Sequence, residues 1–142
     1  MLVLATGGIF GLYWPLKISK ELLAVAPEGK ELEQLKLARK LLATFTGIQL
    51  AVSALVVMLV LGKSATETGS AHFLLIFGVM LISTLALYAS HALVVNKFSA
   101  VVFRGKPRTS YGLALVLVLL WFSSVFRMQT EYCNYEVSGV RA

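Results

Sequence analysis

The chain has no aspartate, one cysteine (Cys133), two histidines and three prolines in 142 residues. A lone cysteine cannot close an internal disulfide, and this Cys/His inventory is too small for a structural metal cluster. His72 and His91 stand 19 positions apart. That is about 28 Å along one helix, so they belong at opposite membrane faces and cannot share a metal or a haem within this chain. Charge is also scarce. Asp, Glu, Lys and Arg make up 14% of the residues, where a soluble domain carries about 25%. The twenty charged residues all fall outside the long apolar runs. Proton relays, voltage sensors and carriers of charged solutes usually keep an ionisable group at membrane depth, and this distribution speaks against them. The motifs G-x-S-x-G and H-E-x-x-H are absent, no paired carboxylates suggest a site, and Cys133 has no histidine near it in sequence. No catalytic residue, metal ligand or cofactor is therefore expected.

What the chain has in abundance is apolar sequence: 58% hydrophobic residues, with a mean hydropathy of +0.80. Four runs stand out, at about 1–16, 41–61, 72–95 and 111–126. The 24 residues His72–Val95 contain no charge and would reach about 36 Å as a helix, enough to cross a hydrocarbon core of about 30 Å. Leu41–Leu61 is a second charge-free run, of 21 residues. Lipid offers no hydrogen bonds to the backbone, so such runs are expected to be helical. Met1–Leu16 and Tyr111–Phe126 are shorter, at 16 residues each, and Pro15 is expected to break or kink the first. The N-terminal run has neither the positive start nor the cleavage site of a signal peptide, so it reads as retained. A start upstream of Met1 is the alternative. The expected fold is all-α: a polytopic transmembrane protein of one domain and four membrane segments, with an amphipathic first cytoplasmic loop (17–40), a second (96–110) and a polar tail (127–142).

Net charge is +6. In a soluble chain that would suggest nucleic acid, but here the cations sit between apolar runs and favour a membrane surface, with no nucleic-acid partner. Lys and Arg number six in 17–40, one in the loop after the second run, four in 96–110 and two in the tail. The positive-inside rule then puts both basic loops in the cytoplasm, and four crossings put both termini outside. Lys97, Arg104, Lys106 and Arg108 alternate with Phe98, Val101, Val102 and Phe103, a pattern suited to lipid headgroups.

Within the runs, small and polar residues mark helix-packing faces. Gly7 and Gly11 have the G-x-x-x-G spacing that allows close helix approach. Thr46, Gln49 and Ser53 share one face of the second run. An unsatisfied amide in lipid costs several kcal/mol, so Gln49 should face protein. Ser83, Ala86 and Ser90 form the matching stripe on the third run.

Thr6–Leu22 (T-G-G-I-F-G-L-Y-W-P-L-K-I-S-K-E-L) resembles the opening of a family of small bacterial multi-span membrane proteins, domain of unknown function 4234. In that family a Thr-x-Gly-Ile-Tyr/Phe-Gly-x-x-Trp pattern leads into a basic helical stretch, and Thr6, Gly8, Ile9, Phe10, Gly11 and Trp14 fit it. The resemblance implies a bacterial inner-membrane setting and no catalytic residues. The expected function is a non-catalytic membrane subunit or accessory protein of a larger complex, with lipid and other integral membrane subunits as partners. The alternative is a homo-oligomeric transporter or pore lined by Thr46, Gln49 and Ser53.

Overall fold

The charge-free run Leu41–Leu61 and the basic stretch before it form one helix, and the same is true of His72–Val95 and the residues after it. In the computed structural model, which describes the backbone of 2–62, 70–120 and 122–140 and the side-chain surroundings of 13–58, 74–120 and 123–136, the elements are α1 (Leu2–Val25), α2 (Lys30–Gly62), α3 (Ser70–Val102), α4 (Tyr111–Leu119) and α5 (Phe122–Val140). Among the described residues all regular structure is α-helix. At 33 residues each, α2 and α3 are about 50 Å long.

α2 and α3 form an antiparallel hairpin whose register is fixed by two polar contacts. Lys97 Nζ donates to Gln34 Oε1 (2.8 Å) and Ser83 Oγ donates to Gln49 Oε1 (2.6 Å). These contacts lie about 21 Å apart along the helices, so the register holds for some four turns. Only one end of the hairpin is covered. Leu22 of α1, Leu35, Ala38 and Leu42 of α2, Val94, Val95 and Phe98 of α3, Ala114 and Val118 of α4 and Met128 of α5 make a common core. This end, where α1 finishes, α2 begins and α3 finishes, is the base of the hairpin. Beyond it the hairpin is bare: no residue from Ala43 to Met58 is buried, and from Leu74 to Ala86 only Ser83 is.

Several expectations are corrected here. The first loop is not a loop over 17–40. Residues 17–25 complete α1, 30–40 begin α2, and only 26–29 connect them. Pro15 lies inside α1 without breaking it. Fully buried Pro15 and Ile18, Ser19 and Leu22 beyond it hold the helix on the core, which outweighs the roughly 3 kcal/mol cost of an interior proline. Likewise α3 continues to Val102, so the second loop shortens to 103–110. It opens with a Schellman turn: Gly105 N–H donates to the Ala100 carbonyl (2.8 Å) and Arg104 N–H to Val101 (3.4 Å), with Arg104 at φ 50° and Gly105 at φ 89°.

The largest correction concerns the fourth run and the tail. Tyr111–Phe126 is not one helix. α4 ends at Leu119, α5 starts at Phe122, and the expected polar tail is helical as far as Val140. Thr109, just before α4, touches Glu131, midway along α5 (Oγ1 to Oε1, 3.1 Å). One continuous helix would hold them about 30 Å apart, so α5 folds back beside α4 and returns to the base. The α4 limb rises only about 13 Å, less than half a hydrocarbon core. Ser123 Oγ caps the turn by donating to the Leu117 carbonyl (2.8 Å). Four spans are thus not shown. Among the described residues two helices, α2 and α3, are long and apolar enough to cross a membrane. The expected Met1–Leu16 segment falls largely outside the residues whose side chains are described.

Candidate functional site

Two polar constellations sit among the apolar packing. The first is the Gln49–Ser83 pair in the bare part of the hairpin. Ser83 Oγ also lies 3.0 Å from the Met80 carbonyl, so its one proton has two acceptors within reach, one across the hairpin and one on α3 itself. Thr46 Oγ1 bonds back to the Leu42 carbonyl (2.7 Å), and Ser90 Oγ to Leu87 (2.8 Å). Ser53 and Ala86 are half-buried on the same helices. Gln49, the side chain whose burial in lipid would cost most, is therefore turned toward α3 and not away from it. Gly7 and Gly11 lie in α1 but outside the residues whose surroundings are described, as does His72.

The second constellation is a buried seam at the base, where the α4–α5 hairpin docks on α3. Glu131 is 3% exposed. Its Oε1 accepts from Thr109 Oγ1 (3.1 Å), Arg127 Nε (3.1 Å) and, at a long 3.4 Å, Ser99 Oγ. Thr109 N–H donates to Ser99 Oγ (3.2 Å), and Asn96 Nδ2 donates to the Thr109 carbonyl (2.8 Å). The loop 103–110 is thereby bolted to α3 at both ends of Thr109. Glu131 Oε2 has no hydrogen-bond partner. Next along α5, the Tyr132 phenol is pushed above its usual range, mainly by burial and then by its hydrogen bond to Glu136.

None of Asn96, Ser99, Thr109, Arg127 and Glu131 stood out in the sequence as a site. A signal was present: Ser124, Met128, Glu131 and Tyr135 recur at helical spacing, and Arg127 and Glu131 form an i,i+4 pair. Reading 127–142 only as a polar tail hid both.

The four expected headgroup cations separate. Lys97 is taken up by Gln34 within the hairpin. Arg108 stacks over the Phe103 ring at 4.5 Å, while Arg104 and Lys106 are exposed on the same loop. His91, expected at a membrane face, is buried at the base, and its Nε2 has no hydrogen-bond partner. Cys133 is an exposed free thiol on α5. Chemically, the arrangement provides hydrogen bonds for the Gln49–Ser83 and Thr109–Glu131 groups, leaves Glu131 Oε2 and His91 Nε2 unpartnered, and has a large apolar exterior. No family model, curated protein or solved structure matches the chain.

Proposed function

We propose that the protein is a small non-catalytic integral membrane subunit or accessory protein that works by helix packing. The observation that carries this reading is the bare part of the α2–α3 hairpin. Met58 and Ile82 are about 70% exposed there, Leu50, Leu55, Leu74 and Leu75 more than half. Two apolar helices facing outward over several turns cannot stay in water unpartnered, because soluble monomers rarely expose apolar patches beyond a few hundred Å². Lipid is the solvent that suits such a surface, and partner helices can pack on it. Little of the two candidate spans, 6% and 17% of their apolar windows, is buried inside the protein. The core helix of a soluble domain would be mostly covered.

In this reading α2 and α3 cross the membrane with the base in the cytoplasm, and α4–α5 dips into the membrane and returns. The C-terminus then lies on the cytoplasmic side. That arrangement leaves Lys63 as the one Lys or Arg of thirteen outside the base side, a stronger asymmetry than four crossings give. The bacterial inner membrane is the setting that the Thr6–Leu22 resemblance supports.

Native purification in mild detergent, through a tag placed after Ala142, tests the assignment. Co-elution of unrelated membrane proteins in fixed stoichiometry is the expected result. A lone homo-oligomer would refute it and direct attention to flux measurements.

A further inference from the structure

At the level where α2 passes from charged to charge-free sequence, a groove of about 470 Å³ opens between α1 and α2. Leu16, Glu33, Lys36, Leu37, Arg39, Lys40 and Ala43 line it. Lys36, Arg39 and Lys40 fall at i, i+3 and i+4, so one face of α2 carries three cations. Glu33 answers only one of them, pairing with Lys36 at 2.7 Å. Among the described residues Arg39 and Lys40 have no acidic partner. Arg39 Nε is buried without a hydrogen-bond acceptor, and Arg39 is among the residues that line the groove. The other wall is apolar. Leu16 and Ala43 continue toward exposed Leu50, which shares a face of α2 with Arg39 and Ala43 and lies on the surface that faces lipid. Immediately before Leu16, Trp14 lies under Lys17 at 4.9 Å and Tyr13 is exposed. Tyr and Trp favour the headgroup level of a bilayer.

From this we infer that the α1–α2 groove binds an anionic phospholipid, its phosphate held by Arg39 and Lys40 and its acyl chain laid along Ala43 and Leu50. A phosphodiester offers two non-bridging oxygens to the guanidinium fork. A zwitterionic lipid would bring an ammonium or choline cation against Lys36 and Lys40, so headgroups without a cation are preferred. The site is separate from the 103–110 loop. The inference rests on the membrane reading above.

The test is native mass spectrometry of the full chain in mild detergent, titrated with phosphatidylglycerol or phosphatidylcholine. One tightly held phosphatidylglycerol per chain is expected. Losing one charge-assisted contact in Arg39→Gln should weaken it about tenfold. Arg39→Lys, which keeps the charge and guards against misfolding, should weaken it less, because the fork alone is lost. Lys106→Gln/Arg108→Gln, a larger loss of charge elsewhere on the base, should leave binding unchanged. Equal retention of the two lipids, or equal losses in the two charge-removing variants, would overturn the site. Displacement of the lipid by millimolar inorganic phosphate would assign the groove to a soluble phosphate and overturn the lipid as its occupant. Release of the chain from washed membranes by alkaline carbonate would refute the membrane reading itself, whereas retention there without lipid preference would refute the groove alone.

Discussion

The Arg127–Glu131 pair makes an unequal prediction for its two partners. Glu131 is buried, with a side chain 4% exposed, while the Arg127 side chain is 43% exposed and can turn to water. In Glu131→Gln the amide oxygen still accepts from Thr109 and Ser99, and a buried negative charge disappears. The lost attraction to Arg127 is offset by the desolvation no longer incurred, so the change should fall within about 1 kcal/mol. Arg127→Gln does the opposite: it leaves a carboxylate in the seam with hydroxyls for company and Oε2 still unpaired. Stranding one partner of a fully buried pair costs about 3–5 kcal/mol, and Arg127 being nearly half exposed reduces this to about 1–3. The double variant strands nothing and should resemble Glu131→Gln. Glu131→Leu removes the acceptor from Thr109 Oγ1, and an unsatisfied buried hydroxyl costs about 1–3 kcal/mol.

Because the α4–α5 hairpin is joined to the rest by one loop, it can open without global unfolding. Amide hydrogen exchange of α4 and α5 in detergent, with α2 and α3 as internal reference, is therefore the assay. The expected order of protection is wild type, close to Glu131→Gln and to the double variant, then Arg127→Gln and Glu131→Leu. If Glu131→Gln opened the hairpin as far as Arg127→Gln, with the double variant additive, stranded charge would not be what sets the order, and the reasoning would fail.

Three further outcomes are expected. Gln49→Leu should destabilise the hairpin by about 0.5–1.5 kcal/mol in SDS-titrated unfolding, because Ser83 keeps its bond to Met80; a loss beyond about 3 kcal/mol would mean that Gln49 serves more than this pair. At the end of α3, Arg104→Gly should stabilise by about 0.5–1 kcal/mol by relieving a left-handed non-glycine residue. Gly105→Ala should cost about 1 kcal/mol or more, since φ is 89° and the new Cβ would stand 3.3 Å from Glu31 Oε1; thermal melts in detergent decide, and a stabilising Gly105→Ala would contradict the turn. Finally, a membrane-impermeant maleimide should reach Cys133 from the same side as Lys106→Cys and the opposite side from Lys63→Cys, each introduced thiol being tested in a Cys133→Ser background. Labelling of Cys133 and Lys63→Cys from one side would show that 111–126 crosses after all.

The two long helices were legible because a charge-free run of 21 or 24 residues leaves a backbone in lipid one option. Their facing residues were partly legible too: Gln49 needed a polar neighbour, and the serine stripe on α3 was the available one. The turn after α4 was not, and the reason is physical. L-A-L-V-L-V-L-L-W-F-S-S-V-F contains neither proline nor glycine at the turn, and hydropathy measures how apolar a segment is without recording its direction. What reverses the chain there is tertiary. Ser123 donates to the Leu117 carbonyl across the break, and Glu131 is drawn into a seam with Ser99 of α3 and Thr109 of the 103–110 loop. The spacing of 124, 128, 131 and 135 is that of one helix face, but only α3 in place says where it docks. The charge count then takes on a different meaning. In the proposed membrane reading Arg127, counted against the basic loops by four crossings, joins them because α5 returns to the base. Under that reading, the positive-inside argument gains strength from the same reversal that splits the 111–126 run.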